Sequence, residues 1–230
     1  MVVKPATLIL VTIFQANYGP AALVGAQLDS SGLVSSNLSG KQVFFDGKAA
    51  PLIYALAGQV SAVVPYEVSG KRQTAIQYEY NGVMSNTVTL SVAPSAPAIF
   101  AKNEPGAGPG LVLNSDYSLN AAANPAPDGR SIIVYAAGGG TIQGGAAEGA
   151  LAPGAGDQTL PLSAAIGNVP ANVAYSGAPG EVNGVMQVNL TVPTGLTGAA
   201  ALGYRSRRRT ESKRNHCRGE IAAQALSRSR

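Results

Sequence analysis

Hydrophobic and polar residues alternate most cleanly from Thr74 to Tyr80, where Ile76, Tyr78 and Tyr80 share one face and Gln77 and Glu79 share the other. A period of two is the mark of a strand with one buried and one wet face. Asn81-Gly82 and a second apolar run, Val83 to Val92, follow directly. Asn-Gly between two such runs predicts a hairpin, because both residues accept the positive φ of a two-residue turn. Upstream, the same reading predicts strands at Leu8 to Phe14, Val43 to Phe45, Leu52 to Tyr54 and Val60 to Val64. They are punctuated by Asn17-Tyr18-Gly19-Pro20, by the tight turn Asp46-Gly47 and by Pro65.

Part of this pattern occurs twice. Gln-Val-x-x-x-Val-Pro-x-x-x-x-Gly runs from Gln59 to Gly70 and again from Gln187 to Gly198. Apolar runs reaching Phe14 and Tyr135 precede the two copies, and Gly47 and Gly167 follow those runs at nearly equal separations. Ala164-Ala165-Ile166-Gly167 aligns with Phe44-Phe45-Asp46-Gly47, and Val173-Ala174-Tyr175 aligns with Leu52-Ile53-Tyr54. Solenoid repeats recur every ~20 to 50 residues, so a period this long predicts two whole modules in series. Residues 1–93 form the first and 101–203 the second, with a Pro-rich hinge at 94–100. The Gly/Ala stretch from Gly138 to Pro153 has no apolar period and is expected to be a mobile loop. After Gly198 the match stops, so the second module is expected to lack its last hairpin.

Composition agrees with short strands and tight turns: 28 Gly, 15 Pro, no Trp and only 12% charged residues. No stretch approaches the ~20 apolar residues of a membrane-spanning helix. Met1 to Phe14 has one basic residue, Lys4, but no small-residue cleavage site, and reads as a first strand rather than a degenerate signal peptide. Charge divides the chain. Residues 204–230 hold nine Lys or Arg against Glu211 and Glu220, a net +7, which leaves the body with seven basic and ten acidic residues, a net −3. The only His and Cys, His216 and Cys217, also lie in this basic tail, which is expected to be disordered. A body without Cys needs no disulfide, so cysteine count carries no information on redox compartment.

The order Asp46-Gly47, Pro51-Leu52-Ile53-Tyr54, Gly58-Gln59-Val60, Pro65-Tyr66-Glu67-Val68 and Ala96-Pro97-Ala98-Ile99-Phe100 is more specific than its parts. With Leu113 to Asn120, Asn124-Pro125-Ala126 and Gly177-Ala178-Pro179-Gly180, it resembles the uncharacterised C-terminal domain family of Solibacter-type acidobacteria. The first half of that family is similar to the IPT/TIG immunoglobulin-like fold. The resemblance runs from about Val11 to Gly198. It implies an all-β chain of two tandem immunoglobulin-like (IPT/TIG-like) β-sandwich domains, the second lacking its last hairpin, plus a disordered basic tail. It further implies a module of exported or cell-surface multidomain bacterial proteins, with no established activity or site residue. Two departures, an N-terminus close to the first strand and a tail unlike the family after Gly203, give the expectation of a gene fragment read out of frame from about Ala199.

Chemistry has little to work with. The body offers no His, no Cys and ten scattered carboxylates, so the chain is expected not to be an enzyme, with no catalytic, cofactor-binding or metal residue and no cofactor. Glu67, Glu79, Asp116 and Asp128 are the carboxylates that folding could bring together, surface solvation being the ordinary alternative. Gly138-Gly139-Gly140 to Gly144-Gly145 lacks both the spacing and the following Lys-Ser/Thr of a phosphate loop. Asn114, Asp116, Asn120 and Asn124 could offer oxygens to calcium, but Asn and Asp build turns unaided. Tyr54, Tyr78, Tyr80 and Tyr175 fall on strands and invite a carbohydrate-binding reading, against which stands ordinary cross-strand packing. Asn37-Leu38-Ser39 and Asn189-Leu190-Thr191 match glycosylation sequons without significance in a bacterial protein. The expected role is a structural, adhesive or protein-interaction module whose partner is a protein or cell-surface component. The alternatives are a carbohydrate-binding module and nucleic-acid binding through the basic tail.

Overall fold

The computed structural model describes residues 9–15, 17–102, 109–143, 148–150, 156–158, 160–179, 184–196, 198–206 and 219–228. Among them the chain is all-β, the only helical turn being a short 3-10 segment at Tyr66–Val68. Two compact units are present. Unit 1 takes residues 1–94 together with 141–156 and 178–184, and unit 2 takes 95–140, 157–177 and 185–230.

In unit 1, β1 (Leu10–Phe14), β2 (Val24–Gly25), β5 (Leu52–Leu56) and β6 (Gln59–Val63) form one antiparallel sheet in the order β1-β6-β5-β2. A second sheet contains β3 (Lys41–Phe45), β4 (Lys48–Ala49), β7 (Gln73–Tyr80), β8 (Val83–Met84) and β9 (Val88–Ser91), in the order β4-β3-β7-β8, with β9 also paired to β7. Val43 and Phe45 of β3 and Ile76 of β7 meet Leu52, Ala55, Val60 and Ala62 of the other sheet in one buried core. This is the arrangement of a sandwich, each sheet hiding one face of its alternating pattern. Burying each large aliphatic or aromatic side chain contributes about 1.5–3 kcal/mol.

Unit 2 contains β10 (Ala98–Ile99), β11 (Val112–Asn114), β12 (Ala126–Pro127), β13 (Ser131–Ala137), β14 (Gly156–Asp157), β15 (Leu162–Ile166), β16 (Val169–Ala178), β17 (Met186–Thr191), β18 (Gly198–Ser206) and β19 (Gly219–Arg228). They connect in the order β10-β13-β17-β16-β15-β18-β19-β12, with β11 beside β13 and β14 beside β16. β13 is antiparallel to β10, β11 and β17, β15 to β16 and β18, β16 to β17, and β18 to β19, whereas β12 runs parallel to β19. Along the ten-residue β16, Val169, Pro170 and Ala171 pair with β15 and Asn172 to Gly177 pair with β17, with β14 as a third neighbour. Ile132, Val134, Ile166, Met186, Val188, Leu190 and Leu202 are buried in this unit.

The repeated sequence has a repeated frame. Phe14 stands opposite Gln59 and Tyr135 opposite Gln187. Tyr54 faces Ser61 and Tyr175 faces Asn189, with the same one-residue register shift just before each Tyr. Asn17 (φ 44) and Gly138 (φ 81), three residues beyond Phe14 and Tyr135, are both left-handed.

Four expectations need correction. The tight-turn alignment is one residue out: Phe45 and Ile166 occupy the same position, each closing a turn onto Lys48 and Val169 respectively. Both residues of each turn have positive φ, Asp46-Gly47 in one and Gly167-Asn168 in the other. Asp or Asn and Gly exchange places there because either accepts that conformation.

The second unit does not lack its closing hairpin. Ile166 pairs with Leu202 of β18 as Phe45 pairs with Ile76 of β7, and β18 pairs with β19. Nor is the whole of 204–230 without structure, since β18 reaches Ser206 and β19 spans Gly219–Arg228; the remainder of the tail, 207–218 and 229–230, lies outside the described residues. Half of the residues from Ile221 to Leu226 are Ala, which has weak strand preference, and pairing with β18 overrides that preference. Basic residues crowd into 205–218, whereas β19 before Arg228 carries only Glu220, so averaging the tail hid a nearly uncharged strand. Finally, of the Gly/Ala stretch expected to be a mobile loop, 144–147 and 151–153 lie outside the described residues, and the rest has fixed contacts. Ile142 is buried, and Gly149 accepts a 2.7 Å hydrogen bond from the Val34 backbone within unit 1.

Candidate functional site

The most unusual side chain is Lys41. It opens β3 in phase with Val43 and Phe45, and is fully buried with them. An isolated ammonium could not persist there, because burying an unpaired charge is very costly. Its Nζ donates to Gln15 Oε1 at 2.9 Å and to the Tyr18 carbonyl at 2.6 Å. It also lies 3.9 Å from the centre of the Tyr78 ring, a cation–π contact. Desolvation by burial lowers its pKa from the usual lysine value to about 8.

These partners lie where the chain leaves β1. Gln15 and Tyr18 donate their backbone N–H groups to Gly58 and Ala57, in the β5–β6 turn of the first sheet. The Tyr18 hydroxyl donates to the Val83 carbonyl of the second sheet, and its ring packs edge-on against Tyr78 and Tyr80. Lys41 and Gln15 Nε2 converge on the Tyr18 carbonyl, so the segment stitches one end of the two sheets together. The corresponding position in unit 2 is Gly139, whose carbonyl accepts from the buried side chain of Gln158 at 2.5 Å. Both units thus cap the same carbonyl from inside, one with an amine and an amide, the other with an amide alone. The repetition argues for a structural clamp. Lys41 itself is fully buried.

A second charged group surrounds Lys48. Its Nζ bridges Glu67 Oε1 and Glu148 Oε2 and sits 4.9 Å from the Tyr66 ring. Burial works against the Lys48 charge, but the hydrogen bonds it donates to the Glu148 and Glu67 carboxylates hold its pKa above the ordinary lysine value. Burial likewise opposes the Glu67 charge, and Lys48 outweighs it, holding that carboxyl below its usual range. One lysine between two carboxylates is an ion-pair network.

The other sequence candidates have local tasks. Asp116 Oδ1 accepts from the Ser118 N–H and hydroxyl, and Asn120 donates to Asn114 Oδ1. Asn114 and Asn124 both donate to the Ser118 hydroxyl, which makes this an interlocked set of turns. Asp128 Oδ2 accepts from the Gly195 N–H. Glu79 stands in β7 opposite Gln42 and Met84. Asn37 accepts from the Gly40 N–H, and Asn189 from Gln187. Among the described residues, no group of three His, Cys, Asp or Glu is placed to hold a metal ion.

Of the four strand tyrosines, Tyr78 and Tyr80 come together, joined by Tyr18. Tyr54 sits on β5 and Tyr175 on β16. Burial and Asp157 raise the Tyr175 pKa. Sequence reasoning missed Lys41, Gln15 and Tyr18 as a group. The legible signal was Lys41 standing in phase with Val43 and Phe45.

A different kind of feature lies at the edge of the second sheet in unit 1. Val83, Met84, Val88 and Leu90 are all exposed, at 58, 44, 48 and 45%. Val88 and Leu90 stand opposite Ile76 and Thr74, which are buried, so β9 turns apolar side chains to the inner face without being covered. Among the described residues β9 has one strand partner, β7, leaving its other edge free. Nothing from Tyr80 to Ala101 is charged. Sheet edges are ordinarily blunted by Lys, Pro or covering segments, and an uncovered apolar edge is suited to pairing.

No protein-family model and no curated protein matches this chain.

Proposed function

We propose that this chain is a non-catalytic structural or adhesive module that binds protein through a sheet edge. It would belong to an exported multidomain bacterial protein and consist of two tandem immunoglobulin-like, IPT/TIG-like sandwiches, as the family resemblance implies. The observation that carries this reading is the free, uncharged β9 edge with its exposed Val88 and Leu90. An extended edge offers main-chain hydrogen bonds for affinity and alternate side chains for selectivity. The titratable groups in the two clusters support the same reading, because their interactions tie loops to sheets.

Carbohydrate binding is less well supported. A sugar needs an open aromatic face, whereas Tyr78 has Lys41 Nζ against its ring and Tyr18 in a T-shaped contact with it. Nucleic-acid binding would rest on the basic residues of 205–218, most of which lie outside the described residues.

A photo-crosslinking residue at Leu90 tests the proposal, with the full chain presented to an extracellular bacterial protein fraction. The expected result is a discrete crosslinked protein, this chain itself included, that is absent with the probe at exposed Tyr117. Equal labelling from both positions would overturn the edge-binding role.

A further inference from the structure

We infer that the occupant of the β9 edge is β9 of a second copy, paired antiparallel about a two-fold axis centred on Thr89. This rests on the edge-binding role proposed above and specifies its partner.

The backbone fixes which groups are available. Within β7, Ala75 turns its N–H and carbonyl away from β9, to the side chain and backbone of Asp46. Its neighbours Thr74 and Ile76 therefore point toward β9, where they face Leu90 and Val88. Val92 continues this phase by donating to the Arg72 carbonyl. Residues 88, 90 and 92 thus spend their backbone groups internally, while Thr87, Thr89 and Ser91 direct theirs to the free edge.

That set is self-complementary. With Thr89 opposite Thr89 of the second copy, Thr87 stands opposite Ser91, and all three positions make reciprocal main-chain hydrogen bonds. Thr–Thr and Thr–Ser neighbours fall on the polar face, a favourable cross-strand combination. In the same register Val88 of each copy lies beside Leu90 of the other, on the face where both are exposed. A shift of one residue would put Val and Leu beside Thr and forfeit this match. No charge from Tyr80 to Ala101 opposes the approach, and the two-fold arrangement uses each edge once and closes. The irregularity at Ser85 to Thr87, where three residues lie against Gln77 and Tyr78, bends the arm before the paired stretch and leaves Val88–Ser91 regular.

Two variants of the full chain test the pairing. Thr89→Pro removes the central outward N–H without taking a donor from the β7 ladder, a position where an edge strand tolerates proline. Leu90→Lys puts an ammonium beside Val88 of the other copy and sets two like charges diagonally across the axis. Sedimentation of the wild-type chain, with reductant and high salt, is expected to show a concentration-dependent shift from one chain to two. The amides of Thr89 and Ser91 are expected to exchange more slowly as the dimer fills, with Val88 and Leu90 slow throughout. Both variants are expected to sediment as single chains and to keep the unfolding transition that the wild type shows at dilutions where it too is a single chain. A wild-type chain that stays monomeric, or variants that dimerise as the wild type does, would overturn the pairing. A monomeric chain whose Leu90 probe still captures a different protein would overturn self-pairing alone. A monomer whose probe captures nothing selectively would overturn the edge-binding role as well.

Discussion

Lys41 shows how much one side chain can determine. With a folded pKa lowered to about 8 and an unfolded value near 10.5, the unfolded chain binds more protons between those limits. Stability should therefore rise as pH increases from about 8 to 10.5 and be lost again as pH falls through the folded value. The shift sets a ceiling of about 3 kcal/mol, and the hydrogen bonds to Gln15 and Tyr18 keep the gain below it. Urea unfolding at pH 7.5 and 10.5 should show this increase in the wild type, and Lys41→Met should flatten it. Little of the arrangement was legible beforehand, because Gln15 and Tyr18 are 26 and 23 residues away in sequence and belong to a turn. What could be read was the inward phase of Lys41.

At the scale of elements, left-handed positions mark where substitutions will be felt. Gly138 has φ +81, and an added Cβ would stand 1.9 Å from the Ala96 carbonyl oxygen. Gly82 has φ +82 with open space around it. Gly138→Ala should cost about 2–4 kcal/mol, from strained backbone and a clash that the Ala96-to-Gly138 hydrogen bond keeps close. Gly82→Ala should cost only about 1 kcal/mol; thermal unfolding of the two variants distinguishes these outcomes. Strand locations were readable wherever alternation or a turn signal was strong, as at β7 and at the Asp46-Gly47 turn. β19 escaped because Ala, Gln and Leu have no strand preference of their own and are held by a neighbour that local pattern cannot reveal.

Across the whole molecule, sequence repeats and compact units do not coincide. Residues 141–156 and 178–184 follow the Pro-rich stretch yet belong to unit 1. Glu148 and Gly149 meet Lys48 and Val34 there, partners about one hundred positions distant that no local period could have indicated. A double-mutant cycle with Lys48→Met and Glu148→Gln should give a coupling of about 1 kcal/mol, modest because the lysine is partly exposed. The Glu67 carboxylate is held low and the Lys48 ammonium high. Their contribution should therefore persist from about pH 4.5 to 10.5, falling as acid protonates the carboxylate and as base removes the lysine proton. Chemical unfolding of the four variants at pH 7 tests the size, and a second cycle with Glu67→Gln in place of Glu148→Gln, at pH 7 and pH 3, tests the direction.

The segment carrying Glu148 and Gly149 also bears on how such a gene can change. Because Gln59 and Gln187 occupy the same place in the same ladder, a recombination joining the two copies there would preserve strand register across the seam. It would nevertheless delete Glu148 and Gly149, leaving the Val34 amide and the Lys48 ammonium without those partners. The matching registers make the frames interchangeable, whereas the contacts of Glu148 and Gly149 make the first copy depend on keeping the second.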